Sequence, residues 1–140
     1  MQEITIIIIE DLRLDLTYEF DQNFERKGFF NEKWPTTKRP SNIGSLMVRK
    51  GSLRRSILSS RDGSKLVFSS SVPYAEIHNE GGDIRRVSKK GKNYTIKMTQ
   101  RQFIGESKET DDLVESAIDK HVPEYISNNL DNLFKESYNG

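Results

Sequence analysis

The sequence predicts an α+β fold from its hydrophobic pattern and its turn signals. An apolar stripe of helical period lies near each end of the chain, and two turn signals between them are flanked by short runs of apolar residues. We therefore expect a small antiparallel β-sheet of about four strands, formed by two hairpins and flanked by a long N-terminal helix and a kinked C-terminal helix. A length of 140 residues suits one domain, so residues 1–140 are predicted to form a single unit.

The N-terminal stripe predicts a helix from about residue 3 to Gly28. Its apolar positions recur every fourth residue, at Ile8, Leu12, Leu16, Phe20 and Phe24. Gly28 follows two basic residues, and glycine is common just past the end of a helix. Such a helix measures about 35–40 Å. Because a small core cannot cover that length, we expect another surface to cover its end.

The next segment is predicted to be a loop or arm near residues 29–45. The aromatic residues Phe29, Phe30 and Trp34 can anchor it, and its polar part is expected to be mobile. Around Leu53, the spacing of apolar residues indicates one helical turn that leads into a strand.

Turn residues then mark the first hairpin and a short helix. Asp62-Gly63 lies between two apolar runs, which predicts a hairpin. A short helix that contains Tyr74 is expected to end at Gly81-Gly82, where glycine permits a sharp exit.

The second hairpin is predicted to pair residues 84–87 with residues 94–98. Between them lies a basic loop, residues 88–93, which should protrude from the domain.

The last helix is expected to have Thr110 as its N-cap, because Asp111 and Asp112 follow it where the helix dipole favours acids. Its apolar residues fall on one face, at Leu113, Val114, Ala117, Ile118, Val122, Ile126, Leu130, Leu133 and Phe134. Pro123 lies within this pattern. An interior proline costs about 3 kcal/mol or more in a straight helix, so we expect a kink or a restart there.

Charge is distributed unevenly along the chain, although 22 Lys+Arg nearly balance 21 Asp+Glu. Residues 38–65 and 85–101 each carry a net charge of +7. Residues 1–33 carry −4, residues 76–83 carry −3 and residues 106–136 carry −6. A basic centre between acidic ends predicts electrostatic contacts with a partner.

The sequence offers little for catalysis, so we expect no enzyme activity, no cofactor and no metal. There is no cysteine, and no Gly-x-Ser-x-Gly motif surrounds a serine. Of the two histidines, His78 is expected to bond a backbone group beside Gly81-Gly82, and His121 to be a surface or helix-packing residue. The apolar run at residues 4–9 is too short to cross a membrane, and we expect no membrane association.

The central basic residues have two interpretations. They can face DNA phosphates, or they can face the acidic helices of a neighbouring copy in a head-to-tail ring. We favour the ring, and the two interpretations are compatible. The bases in question are Arg49, Lys50, Arg54, Arg55, Arg85, Arg86, Lys89, Lys90, Lys92, Lys97 and Arg101.

Several short motifs resemble the phage virion morphogenesis family, which includes Mu-type tail completion proteins. In order, they read Lys-Trp-Pro, Leu-Arg-x-Ser-Ile, Tyr-Ala-x-Ile-His-x-x-Gly-Gly and Arg-x-Phe-Ile-Gly. We call the following twelve positions the motif residues: Trp34, Leu53, Arg54, Ile57, Tyr74, Ala75, His78, Gly81, Gly82, Arg101, Phe103 and Gly105. We expect Phe103 to pack into the core and Arg101 to be exposed for a neighbour.

The resemblance implies a structural protein at the phage neck or tail end, in tail completion or head-tail joining. It also implies an oligomeric ring around the DNA channel, hexameric as in related tail-end proteins. Expected partners are the chain itself and neighbouring neck, connector or tail-tube proteins, with non-specific contact to passing DNA. The expected location is the virion, and the host cytoplasm during assembly. The alternative is a regulatory module that binds nucleic acid through the basic hairpin.

Overall fold

In the part of the chain that the structure describes, two long helices lie first and last, and three short β-hairpins lie between them in sequence. The computed structural model describes residues 2–36 and 52–139, with side chains for residues 3–36 and 52–132. The elements are α1 (Gln2–Arg26), β1 (Gly28–Phe29), β2 (Glu32–Lys33), α2 (Ser52–Ser56), β3 (Ile57–Asp62), β4 (Lys65–Ser70), α3 (Ala75–Glu80), β5 (Gly82–Val87), β6 (Asn93–Met98) and α4 (Lys108–Asn139). This confirms the α+β class.

The strands form three separate two-stranded sheets, β1–β2, β3–β4 and β5–β6. Both predicted hairpins are present, but in the described part of the chain they do not join into one four-stranded sheet. Gly63 supplies the left-handed turn of β3–β4, with a φ of 61°. In β5–β6 the register pairs Gly82 with Met98 and Val87 with Asn93.

The chain divides into two compact units. Of the described residues, the first unit holds 2–16, 60–67 and 106–139, and the second holds 17–36, 52–59 and 68–105. Each unit therefore takes part of α1 and part of the β3–β4 hairpin.

The first unit packs the start of α1 against α4. Its buried side chains are Ile4, Ile9, Leu12, Leu16, Thr110 and Ala117. His121 lies in this contact, with Nε2 2.7 Å from Asp11 Oδ2, so it is a helix-packing residue as predicted. Lys120 Nζ lies 3.8 Å from the same carboxylate.

The end of α1 differs from the prediction in one respect. The residue with left-handed backbone is Lys27, with a φ of 55°, whereas Gly28 is already in strand β1. Gly28 is needed for another reason. A Cβ at this position would lie 2.6 Å from the backbone oxygen of Glu32 across the β1–β2 hairpin. The helix thus ends on Lys27, and Gly28 allows the close strand pairing that follows.

The predicted loop at residues 29–45 begins as this small hairpin. Gly28 pairs with Lys33 and Phe29 pairs with Glu32. Residues 37–45 of the predicted arm lie outside the described residues.

The predicted cap of the last helix is wrong by one turn. The helix begins at Lys108, and Ser107 is the cap. The Thr110 N–H donates to Ser107 Oγ at 3.3 Å, and the Ser107 N–H donates to Thr110 Oγ1 at 2.8 Å, which forms a reciprocal capping pair. Thr110 is therefore the third helical residue rather than the cap.

Helix α4 continues through Pro123 and does not restart. Proline removes the bond to the carbonyl four residues earlier, that of Asp119. Asp119 and Pro123 are both exposed, so water can bond that carbonyl.

Candidate functional site

Six of the twelve motif residues meet in one core of the second unit. Its centre consists of Phe24, Leu53 and Phe103, each at most 1% exposed, and we call these three the motif core. The partly buried residues around it are Trp34, Ile57, Val72, Tyr74, Ala75 and Ile104. Motif residues 69 positions apart in sequence, from Trp34 to Phe103, thus share one hydrophobic cluster.

Trp34 holds the β1–β2 segment to this core. Its indole ring packs edge-on to Phe24 at a centroid distance of 5.8 Å. Its Nε1–H donates to the Gln102 carbonyl at 2.7 Å. The ring therefore combines apolar burial with a satisfied polar group, which favours a single fixed position.

Asn79 holds the segment that carries Phe103. Its Oδ1 accepts the N–H groups of Phe103 at 2.9 Å and Ile104 at 3.1 Å. Beside it, the Arg101 N–H donates to the His78 carbonyl at 2.8 Å. The C-terminal end of α3 thereby fixes the backbone that leads to Phe103.

Asn23 makes a second set of polar contacts, fully buried on α1. Its Nδ2–H donates to the Phe103 carbonyl at 2.9 Å. Its Oδ1 accepts the Phe30 N–H at 2.9 Å and Arg26 Nη1–H at 2.8 Å. One side chain thus connects the β1–β2 hairpin and the Phe103 segment to α1.

Arg54 forms ion pairs with carboxylates on α1. Its guanidinium donates to both oxygens of Asp21, at 2.7 and 2.9 Å, and to Glu25. These bonds lower the pKa of Asp21 below its usual range, and they raise the pKa of Arg54. Arg54 is one of the bases predicted to face DNA phosphates or an acidic helix, and its charge is already paired with acidic residues of α1 in the same chain.

His78 is buried, and its Nδ1 has no hydrogen-bond partner among the described residues. The expected bond from its ring to a backbone group is not made at that nitrogen. Burial lowers the pKa of His78, and the positive charge of Arg101 lowers it further. The ring instead packs edge-on to Tyr74, with centroids 5.5 Å apart. Arg101 is half-buried, so it is less exposed than predicted.

The β5–β6 hairpin of the second unit is largely exposed. Antiparallel pairing places Ile84 opposite Ile96 and Arg86 opposite Tyr94 on one face. Tyr94 and Ile96 are 47% and 43% exposed. The opposite face carries Arg85, Val87 and Lys97, which are also exposed.

A compact turn closes the hairpin. The Ser88 N–H donates to the Lys92 carbonyl at 2.8 Å, and the Lys92 N–H donates to Ser88 Oγ at 3.0 Å. Gly91 takes a φ of 81°. The three lysines of the loop, Lys89, Lys90 and Lys92, are exposed. The predicted basic loop is thus present and accessible.

The remaining bases of the predicted charged surface divide into two groups. Arg55 is exposed on α2. Arg49 and Lys50 lie outside the described residues. Among the described side chains, at residues 3–36 and 52–132, no cluster of three His, Asp or Glu could hold a metal ion. No helix within residues 2–36 and 52–139 is long and apolar enough to cross a membrane.

The chain matches a known protein family. The model of the phage virion morphogenesis family matches residues 29–123. The chain belongs to the phage virion morphogenesis family. All twelve motif residues fall within the matched range. No curated protein and no solved structure gives a significant match.

Membership of the phage virion morphogenesis family gives the chain a role in building bacteriophage particles. The family motif residues act here as a packed core together with the backbone turns that close it. Gly81 illustrates such a turn, with a φ of 74° and space so limited that a Cβ would lie 2.9 Å from Gln100 Cβ. Gly82 follows with a φ of 134°.

Sequence reasoning missed two residues of this site, Asn23 and Asn79. Asn79 lies inside the family motif, between His78 and the glycine pair, where a short amide can bond nearby backbone. Asn23 is a polar residue three positions after Phe20, on the buried side of α1. Both asparagines could be noticed in the sequence, but their hydrogen-bond partners could not. The partner of Asn23 lies 80 residues away, and those of Asn79 lie about 24 residues away.

Protonation of His78 is expected to destabilise the fold below about pH 6.5, the usual pKa of an unfolded histidine. Because the folded pKa is lower, the unfolded chain binds more protons as the pH falls through this range, and unfolding is favoured. The stability contribution is complete above the unfolded pKa. Urea midpoints measured at about pH 7.5 and 5.5 should therefore differ in the wild type.

His78→Phe should reduce that difference, because phenylalanine can retain the packing on Tyr74 and does not titrate. His121→Gln is the matched control, since it removes the other histidine and keeps the His78 contribution. An equal pH effect in the wild type and His78→Phe would contradict the assignment.

Proposed function

We propose that the chain is a structural protein of the phage neck or tail end that assembles as a ring around the DNA channel. Tail completion or head-tail joining is the step it serves, and a hexamer is the expected ring. It acts without catalysis, and its partners are copies of itself and neighbouring neck, connector or tail-tube proteins. Family membership supports the virion role.

The exposed β5–β6 hairpin is the observation that carries the ring proposal. A two-stranded hairpin is marginal in stability by itself. This one leaves apolar residues exposed on both faces, Tyr94 and Ile96 on one and Val87 on the other. Such a surface is typical of an element that a partner covers.

Charge supports the same proposal. Residues 82–98 carry six bases and one acid, for a net +5, and residues 108–132 of α4 carry seven acids and two bases, for a net −5. In a head-to-tail ring each copy contributes one basic and one acidic surface. Bases on the rest of the hairpin can then face DNA in the channel.

Assembly is expected to weaken as salt rises. The Debye length falls from about 10 Å at 0.1 M salt to about 3 Å at 1 M, which screens exposed charge pairs. Native mass spectrometry across this range, with electron microscopy of particles, measures the effect. Ring assembly that is unaffected by salt would contradict the role of charge, and a strict monomer that is absent from virions would contradict the ring.

A regulatory nucleic-acid-binding module is the second candidate, because Lys89, Lys90 and Lys92 are exposed at the hairpin tip. Gel-shift assays with a salt titration separate the two. Tight, sequence-dependent binding by a monomer or dimer would favour regulation. Weak binding without sequence preference fits contact with passing DNA in a ring.

A further inference from the structure

We propose that the apolar face of the β5–β6 hairpin binds the exposed side of α4 in a second copy of this chain. The inference rests on the proposed ring and names the contact that would build it. Two surfaces carry the argument. The hairpin face consists of Ile84, Arg86, Tyr94 and Ile96. The α4 stripe consists of Asp111, Glu115, Ile118, Val122 and Ile126.

The α4 stripe is one continuous helix surface. Its residues are spaced by three or four positions, which places them on the same face. Ile118 is 43% exposed and Ile126 is 45% exposed. Buried Ala117 and the Asp11-bound His121 mark the side of α4 that packs inside the first unit. Val122 is half-buried and the other four residues are exposed, so the stripe is a second, largely exposed surface of α4.

The two surfaces have a matching order of polar and apolar groups. On the hairpin, the Arg86–Tyr94 pair lies next to the Ile84–Ile96 pair, about 7 Å along the strands. On α4, Glu115 lies next to Ile118, about 5–6 Å away on the helix surface. When Arg86 pairs with Glu115, the two isoleucines of the hairpin face lie against Ile118 and Val122.

Charge selects a second copy as the occupant of the hairpin face. The hairpin is net +5 and the described side chains of α4 are net −5. Two hairpin faces, or two α4 stripes, would bring like charges together, which disfavours a symmetric dimer through either surface. Hairpin to α4 is the complementary combination. Because the two surfaces differ, every copy offers both, and repetition of the contact forms a ring when its rotation closes on the first copy.

Disulfide cross-linking tests this contact directly, because the chain has no cysteine of its own. Ile96→Cys and Ile118→Cys are prepared as separate proteins, mixed and oxidised mildly. Only a contact between two copies can link them. We expect a cross-linked dimer several-fold above the level of a control mixture of Ile96→Cys with Leu14→Cys, since Leu14 is an exposed apolar residue outside both surfaces. Each variant oxidised alone should give only background.

A charge exchange provides the second measurement. Arg86→Glu, introduced into the Ile96→Cys protein, should return cross-linking to the control level. Glu115→Arg in the Ile118→Cys partner should restore it. Restoration by the double exchange supports a direct Arg86–Glu115 contact, which a loss of folding cannot imitate.

The outcomes separate the contact from the ring. Wild-type oligomers without the Ile96–Ile118 cross-link overturn this interface and leave the ring proposal standing. A chain that is monomeric at every concentration, shows no cross-link and is absent from virions overturns both. If Arg86→Glu weakens DNA binding while cross-linking stays at background, the hairpin face is a DNA surface and the inference is wrong.

Discussion

Replacing Phe103 with alanine is expected to lower the free energy of unfolding by about 3–5 kcal/mol, the usual cost of removing a buried aromatic ring. Phe103 is 1% exposed, and its ring lies 5.1 Å from that of Phe24. Asn79 and Asn23 hold its backbone on both sides, so the surrounding chain cannot easily collapse into the cavity. Urea denaturation followed by circular dichroism measures the change.

Tyr18→Ala is the matched control for this experiment. Tyr18 is an aromatic residue on α1 that is 60% exposed, and exposed substitutions usually change stability by less than about 0.5 kcal/mol. A cost for Phe103→Ala that is no larger than that of Tyr18→Ala would show that the motif core does not stabilise the fold.

The elements that the sequence predicts correctly are those with local signals. The four-residue spacing from Ile8 to Phe24 suffices for α1, because only one face of a helix presents such positions together. Asp62-Gly63 and Gly81-Gly82 mark turns whose positive φ angles suit glycine. These signals depend on neighbouring residues alone.

The error at the cap of α4 occurs because two residues of the same type compete for one role. Ser107 and Thr110 are both good caps, and they lie on opposite sides of the first turn of α4. Their hydrogen bonds are reciprocal, so each side chain satisfies the other's backbone. Thr110 lies inside the helix and is buried in the first unit. That burial depends on tertiary packing.

The charge pattern was predicted from the sequence, but whether each base is paired or exposed was not. Arg54 belongs to a basic segment by sequence, yet it pairs with Asp21 and Glu25 on α1, which are 33 and 29 residues away. The hairpin bases at Arg85 and Arg86 remain exposed. The structure therefore pairs the charge of Arg54, whereas Arg55 and the bases of the β5–β6 hairpin are exposed.

Replacing Asn23 with alanine is expected to lower the free energy of unfolding by about 3 kcal/mol. The substitution leaves the Phe103 carbonyl and the Phe30 N–H without their partner, and an unsatisfied buried polar group costs about 1–3 kcal/mol. Alanine is the better helix former, which offsets about 0.5 kcal/mol of that loss. Urea denaturation near pH 7 gives the change.

Gln22→Ala is the control at the neighbouring position of α1. Gln22 is half-buried, and we expect its substitution to change stability by less than about 0.5 kcal/mol.

Asn23→Asp then separates the two functions of the amide. Aspartate can still accept the Phe30 N–H and bind Arg26, but it cannot donate to the Phe103 carbonyl. We therefore expect Asn23→Asp to be destabilised as well. Stability equal to the wild type in Asn23→Asp would mean that the bond to Phe103 contributes nothing, and that acceptance by Oδ1 alone connects the β1–β2 hairpin to α1.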